Sequence, residues 1–167
     1  KFKRDNNLVY GPDQIVVSTG AKQSLANLAQ VLLNPGDEVI LPAPYWVSYA
    51  DIAKVAGGVP VEIKTSIATD FKITPEDLRQ AITAKTKMMI YSSPCNPSGS
   101  VYSKAELRAL ADVLVDHPDL IIVSDEIYEH INFSGSHFSM AEFDDMYDRT
   151  VTINGVSKAF SMTGWRI

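Results

Sequence analysis

Two patterns of hydrophobic positions alternate along the chain, and their succession predicts a layered α/β fold. Short apolar runs at residues 14–18, 38–41, 59–63, 87–91, 120–124 and 150–153 are typical of β-strands. Between most of them, apolar residues recur at helical spacing, as in the segment with Leu25, Leu28, Ala29 and Leu32. Strands that alternate with helices favour a mainly parallel sheet with right-handed crossovers. The pattern therefore predicts a three-layer α/β/α domain that takes in residues 1–167.

Turn and capping residues set the predicted boundaries of these elements. Thr74 before Pro75, and Ser103 three residues before Glu106, are helix N-terminal signals. Pro60 predicts either that its strand lies at an edge of the sheet or that the proline stands at the start of the strand. We read the basic start of the chain, residues 1–4, as the end of a helix. Two X-Pro bonds between residues 92 and 99 predict a cis peptide bond there.

Residues with distinctive chemistry follow five of the six predicted strands. In parallel sheets, ligands bind outside the carboxyl ends of the strands, so these residues are expected to converge on one site. They are Gly20, Trp46, Asn96, Asp125 with Tyr128, and Lys158. Taken singly, each has an ordinary structural explanation. Trp46 could pack in the core, Asn96 could form a turn, and Asp125 could cap a helix. The aliphatic part of the Lys158 side chain could pack on its apolar neighbours. Their shared place in the sheet favours a binding site.

The expected chemistry of this set includes an anion site and an amine. Gly20 lies where a strand is predicted to give way to a helix N-terminus, whose free N–H groups and dipole attract anions. Arg166 is a natural cation for a phosphate. Lys158 lies among small and apolar residues, which predicts a desolvated amine with a lowered pKa, suited to a Schiff base with an aldehyde.

The remaining candidates suit a flat, polar ring. Trp46 offers a ring for stacking, Asn96 an amide, and Tyr128 a phenol. Asp125, at the end of an apolar strand, is costly to bury unless it meets a cation. A phosphorylated aromatic aldehyde with a ring nitrogen and a ring hydroxyl uses all of these groups. That description fits pyridoxal phosphate.

Composition and charge narrow the classes of partner. The net charge is −5 and no basic block exists, which argues against nucleic acid or an anionic membrane as partner. No apolar run is long enough to span a bilayer. The lone cysteine, Cys95, indicates a reducing compartment, and we expect a cytoplasmic location. His117, His130 and His137 share no metal-like spacing; we interpret them as surface or loop residues and predict no metal site.

Several segments together resemble the class I/II pyridoxal-phosphate aminotransferases of fold type I, most closely the aspartate-aminotransferase-like bacterial subgroup. The motifs are Thr-Gly20-Ala-Lys-Gln, Pro-Tyr-Trp46, Asn96-Pro-Ser-Gly, Ser-Asp125-Glu-Ile-Tyr128 and Val-Ser-Lys158-Ala-Phe-Ser-Met-Thr-Gly-Trp-Arg166. They occur in the family's order and approximate spacing, and the resemblance covers essentially the whole chain.

The resemblance implies a role for each residue. Lys158 would form the Schiff base and move the proton between the substrate Cα and the cofactor, while Asp125 pairs with the pyridinium nitrogen. Tyr128 and Asn96 would hydrogen-bond the ring 3-oxygen. The ring would stack on Trp46, which with Asn96 also borders the substrate. The phosphate would meet Arg166 and the backbone N–H groups of Gly20, Ala21 and Lys22, with Lys22 acting through its backbone. Gly155 stands where some relatives have a phosphate-binding serine.

The resemblance also implies an activity, the transfer of an amino group between an L-amino acid, aspartate by default, and a 2-oxo acid. Family members form homodimers, and each has an N-terminal arm and a small domain with a carboxylate-binding arginine. We expect this chain to stop before the sheet's antiparallel strand and that small domain, to leave an exposed edge, and to have little activity alone. Alternatives are another fold-type I chemistry, such as a lyase or cyclopropane-forming synthase, and the cofactor-binding sensor domain of a transcription regulator.

Overall fold

A computed structural model describes all residues, 1–167, and shows one parallel sheet at the centre of the chain. Its order is β2-β1-β3-β4-β5, and every neighbouring pair is parallel. The strands are β1 (Glu38–Ala43), β2 (Val59–Lys64), β3 (Thr86–Ser92), β4 (Ile121–Asp125) and β5 (Thr150–Ile153). The predicted edge position of the strand that contains Pro60 is confirmed.

Six α-helices connect or flank these strands. They are α1 (Phe2–Asn6), α2 (Ala21–Leu32), α3 (Ser48–Val55), α4 (Pro75–Ala81), α5 (Lys104–Leu114) and α6 (Asp144–Tyr147). Short 3-10 helices lie at Pro12–Gln14, Ile67–Thr69 and Met140–Glu142. Capping boxes at Thr74 and Ser103 start α4 and α5, as their spacing predicts. None of the helices, of which α2 with 12 residues is the longest, could carry the chain across a bilayer.

The helices cover both faces of the sheet and enclose two hydrophobic cores. Neighbouring residues of β1 alternate between them: Val39 and Leu41 pack with α2 and α3, while Ile40 packs with α4 and α5. All three of these residues are fully buried. Burial on both faces explains why the central strands read as nearly continuous apolar runs. The predicted three-layer α/β/α architecture is confirmed.

The strand predicted at residues 14–18 is wrong. Gln14 ends a 3-10 helix, and the residues that follow join no strand. Ile15, Val16 and Val17 are exposed, two of them by more than 70%. A strand needs a neighbour for its backbone hydrogen bonds, and among residues 1–167 none runs beside this segment. The β-rich composition therefore predicted a strand that has no partner here. A smaller difference is that β1 runs through Pro42, which we expected to end it.

The carboxyl ends of the strands lie level and define one rim of the sheet. Ser92 of β3 pairs with Asp125 of β4, which pairs with Ile153 of β5. The loop after β3 contains cis peptide bonds at Ser93–Pro94 and Asn96–Pro97, as predicted, and Ala43–Pro44 is also cis. After β4 the chain follows an irregular path at this rim. We call residues 126–139 the rim segment.

Candidate functional site

The N-terminus of α2 lies beneath an arginine and has the features of an anion-binding site. Gly20 is buried, has a φ of 80°, and occupies the N-cap without a side-chain cap. A Cβ placed on Gly20 would stand 3.0 Å from Cζ of Arg166, so the guanidinium packs directly on the glycine. The first N–H groups of a helix, here at Ala21 and Lys22, have no partner inside the helix. Gly20, Ala21, Lys22 and Arg166 are thus together, as the sequence predicts for a phosphate.

The chain after β5 folds back on itself and carries Lys158 and Arg166 in one closed turn. The N–H of Val156 donates to the carbonyl of Ile167 at 3.1 Å. A Cβ on Gly155 would lie 2.9 Å from that carbonyl oxygen and 3.1 Å from Cδ1 of Ile127. A serine does not fit at position 155 without displacement of its neighbours. The phosphate contact that a serine makes in some relatives therefore has no equivalent in this turn.

Asp125 is a buried carboxylate with two hydrogen-bond donors and no cation. It is 4% exposed. The hydroxyl of Tyr49 donates to Oδ2 at 2.6 Å, and the N–H of Ile127 donates to Oδ1 at 3.2 Å. Burial raises the pKa of Asp125, and the Tyr49 hydrogen bond offsets part of that rise because it favours the carboxylate. A cationic ring nitrogen would supply the compensating charge that the site lacks.

Tyr49 and Tyr128 keep their phenol protons beside this carboxylate. Burial, followed by the negative charge of Asp125, raises the pKa of Tyr49, so its hydroxyl stays a donor. The same two causes raise the pKa of the half-buried Tyr128.

Trp46 stands one helical turn before Tyr49 at the start of α3. The two rings meet edge to face, with centroids 5.6 Å apart, and Tyr49 thus touches both Trp46 and Asp125. The ammonium of Lys22 lies 4.7 Å from the centroid of the Trp46 ring. The Lys22 side chain is therefore near the site in addition to its backbone. Asn96 is half-buried in the loop after β3.

Lys158 is exposed, contrary to the expectation of a partly apolar pocket. Its small and apolar sequence neighbours do not cover it, because Phe160 itself is 59% exposed. The turn nevertheless packs on the rim segment at two points: Gly155 lies against Ile127, and the rings of Phe160 and His130 are 5.8 Å apart. These contacts bring the turn beside the segment that holds Tyr128 and follows Asp125.

Buried polar atoms without partners lie just before two of the predicted site residues. They are Oγ of Ser18, two residues before Gly20, and Nδ2 of Asn154, four residues before Lys158. Buried polar groups normally have hydrogen-bond partners. The arginine-covered helix N-terminus, the uncompensated carboxylate, the neighbouring phenol and the indole suit a phosphate joined to a flat, nitrogen-containing ring. The residues present therefore fit pyridoxal phosphate.

Three side chains near the carboxyl end of β4 have contacts that the sequence did not reveal. One is Tyr49, although two signals could have found it: a buried phenol requires a hydrogen-bond partner, and Tyr49 follows Trp46 by one turn. Glu126 was not singled out, yet it is fully buried. His137 lies in a loop, as expected, but it is not a surface residue: its side chain is 11% exposed and its Nε2 lies 2.9 Å from Glu126 Oε2. No local sequence signal reveals that His137, eleven residues away, is a partner of Glu126.

The fold and this rim define a three-layer α/β protein whose rim residues suit a phosphorylated ring compound. Comparison with known proteins agrees: the family described as aminotransferase class I and II matches residues 1–167. The chain belongs to this family.

Named relatives cover the whole chain. It is 54% identical over 169 residues to an aspartate/prephenate aminotransferase of Cereibacter sphaeroides and 53% identical to an aspartate aminotransferase of Bacillus subtilis. The crystal structure of the aspartate aminotransferase from Rhizobium meliloti covers 99% of the chain at 46% identity, with a TM-score of 0.97. The chain spans 42% to 43% of the length of these proteins.

Proposed function

We propose that these residues are the cofactor-binding large domain of a pyridoxal-phosphate-dependent aminotransferase. Below, "the whole protein" means the natural chain that contains them. The observation that carries the proposal is that one sheet rim holds both an arginine-covered helix N-terminus and a buried carboxylate without a cation. Family membership over the full chain supports it.

The phosphate is the group that we assign to the N-terminus of α2. Backbone N–H groups of Gly20, Ala21 and Lys22 would donate to its oxygens, and the Arg166 guanidinium would pair with its charge. Glycine is needed at position 20 because its φ of 80° is strained for other residues and a Cβ would meet the guanidinium. This end of the site fixes where the ring lies.

The ring is assigned to the space beside Asp125. Trp46 would stack on it, and the phenol of Tyr128 with the amide of Asn96 would donate to its 3-oxygen. The carboxylate of Asp125 would hold a proton on the ring nitrogen, because a nearby cation favours the ionised form of that buried acid. Tyr49 leaves Oδ1 of Asp125, which accepts only the longer Ile127 bond, as the freer oxygen for this contact.

Lys158 is the residue that we assign to bond formation and proton transfer. When bound, pyridoxal phosphate supplies an aldehyde carbon for the lysine amine and a ring that accepts electrons. Once substrate displaces it, the Lys158 amine takes the proton from the substrate Cα and returns one during product formation. Its exposure among residues 1–167 fits a site whose cover comes from other parts of the whole protein.

The names of the relatives suggest the substrate. We propose that the whole protein transfers an amino group between L-aspartate and a 2-oxo acid, with prephenate as a further acceptor to test. We also propose that it works as a cytoplasmic homodimer, and that residues 1–167 alone bind the cofactor weakly and turn over little substrate. The relatives that we name are enzymes, which favours an enzyme over a regulator.

Absorbance of the whole protein with pyridoxal phosphate tests this function. We expect a visible band that is bleached by aspartate and restored by a 2-oxo acid, and that is absent from Lys158→Ala. Product analysis distinguishes transamination from a lyase or synthase reaction. A wild-type protein that shows no band, or that keeps the band after Lys158→Ala, would contradict the proposal.

A further inference from the structure

Glu126 is a buried carboxylate that the proposed reaction does not use. It directly follows Asp125, and its side chain is on the opposite side of the sheet, because it contacts Ser124 while Asp125 contacts Tyr49 of α3. Its relative exposure is 0%. A buried carboxylate is tolerated only where donors satisfy it, so its partners indicate what it holds in place.

Glu126 joins the two ends of the rim segment. Its Oε1 accepts from the hydroxyls of Ser124 at 2.8 Å and Ser139 at 2.6 Å. Its Oε2 lies 2.9 Å from Nε2 of His137. A proton on Nε2 makes His137 a donor and leaves its Nδ1, which has no partner, as an acceptor. The single carboxylate thus closes a loop between residues separated by thirteen positions, which removes much of the loop's conformational freedom.

Tyr128 lies inside this loop, and a second glutamate anchors its other side. Glu129 is 6% exposed and its Oε2 accepts from the amide of Asn6 at 2.8 Å, while Oε1 contacts the ammonium of Lys1. Tyr128 is therefore two residues from one anchored carboxylate and one residue from another. Residues 126–139 form no regular helix or strand, so these anchors replace regular secondary structure.

Glu126, Glu129 and His137 could also be considered as ligands of a cation, because their polar atoms lie within 4.8 Å of one another. The partners of the two carboxylates favour another role. Glu126 already accepts from Ser124 and Ser139 and lies beside His137, and Glu129 has Asn6 and Lys1. The cluster is hydrogen-bonded within the protein without an ion.

We propose that Glu126, held by Ser139 and His137, is a positioning residue that fixes Tyr128 toward the cofactor at the rim of the sheet. This inference rests on the proposed function. Glu126 contacts neither Asp125 nor Tyr128 through a side-chain hydrogen bond, so it acts through the path of the chain. Its removal should loosen the rim segment and reproduce the loss of the Tyr128 phenol.

A double-mutant cycle on the whole protein tests the coupling. We expect Tyr128→Phe and Glu126→Ala each to raise the dissociation constant for pyridoxal phosphate about tenfold. If Glu126 acts through Tyr128, the double variant binds about as weakly as either single variant, not a hundredfold more weakly. Both single variants should also move, in the same direction, the pH at which the absorbance band of the bound cofactor changes. Multiplicative losses, or no loss in Glu126→Ala, would overturn the inference.

A second set of variants tests the same inference if Glu126→Ala does not fold. Ser139→Ala and His137→Asn each remove one partner, and Glu126→Gln, which keeps an oxygen for the two serines, should bind the cofactor more tightly than Glu126→Ala. Thr74→Ala is the matched control, because it removes the cap of α4 away from the rim and should leave cofactor affinity within about twofold.

Hydrogen exchange gives a readout that needs no cofactor. In the cofactor-free protein, residues 127–137 should exchange faster in Ser139→Ala and His137→Asn than in wild type, while Thr74→Ala leaves them unchanged. Unchanged protection in these variants would overturn the inference. Failure of the wild-type protein to bind pyridoxal phosphate would instead contradict the proposed function, so the two failures are distinguishable.

Discussion

Asp125 and Glu126 are consecutive buried carboxylates on opposite faces of the sheet, and their surroundings differ sharply. Glu126 is surrounded by Ser124, Ser139 and His137, with no side-chain surface left exposed. Asp125 has one phenol and one longer backbone bond, and burial raises its pKa. The protein satisfies the carboxylate of Glu126 with hydrogen bonds, whereas the buried carboxylate of Asp125 lacks a compensating cation. The difference supports the proposed contact of Asp125 with the cofactor and the proposed positioning role of Glu126.

Replacement of Asp125 should give the largest effect in this comparison. Asp125→Asn keeps the shape but cannot offer a negative charge to a ring nitrogen. We expect the affinity of the whole protein for pyridoxal phosphate to fall at least about 100-fold, the cost of breaking a buried charge pair. Without cofactor, the same variant should unfold at higher denaturant concentration than wild type at pH 8. A destabilised cofactor-free variant would contradict the view of Asp125 as an unsatisfied acid.

Glu126→Gln, in contrast to Asp125→Asn, should destabilise the cofactor-free protein. The amide keeps one oxygen for the two serines but places its NH2 group where Oε2 faces His137, so the network loses the acceptor for Nε2–H of His137. We expect the cofactor-free protein to lose about 2 kcal/mol of unfolding free energy in urea. Glu62→Gln is a control, because that glutamate accepts from Tyr45 at an exposed position. Equal stability changes in Asp125→Asn and Glu126→Gln would show that the two carboxylates have equivalent surroundings.

These contrasts also show how much could be predicted from the sequence. Strand and helix positions depended on local patterns and capping residues, and five of six strands are confirmed. The strand at residues 14–18 failed because its stability requires a neighbour that no local pattern supplies. Gly20 and Arg166 were expected to meet and do so, but the exposure of Lys158 depends on parts of the structure far from its sequence neighbours. The Tyr49–Asp125 bond spans 76 positions, which periodicity cannot reveal.

The raised pKa of Asp125 should make the stability of the folded protein depend on pH. Because burial raises the pKa of Asp125, the folded protein keeps a proton on it that the unfolded chain releases above about pH 4. Between pH 4 and that raised pKa the folded state binds more protons, so stability falls as pH rises. Above about pH 4, cofactor-free wild type should therefore lose stability relative to Asp125→Asn as the pH rises. A constant difference between them would contradict this assignment.

Tyr49→Phe should give the smallest effect. It removes the donor that favours ionised Asp125, so the pKa of the aspartate rises further and cofactor affinity falls about fivefold. Tyr102→Phe is the matched control, since that phenol is also buried but accepts from the N–H of Ile73 in the other core. A loss of affinity in the control as large as that in Tyr49→Phe would show that only general stability is affected.

In the proposed function, Asp125 holds a proton on the ring nitrogen of a cofactor attached to Lys158. Nitrogen-15 NMR of ring-labelled pyridoxal phosphate bound to the whole protein measures this directly. We predict the chemical shift of a protonated pyridinium in wild type and that of a neutral pyridine in Asp125→Asn. A neutral ring nitrogen in wild type, or a protonated one in both proteins, would contradict the account.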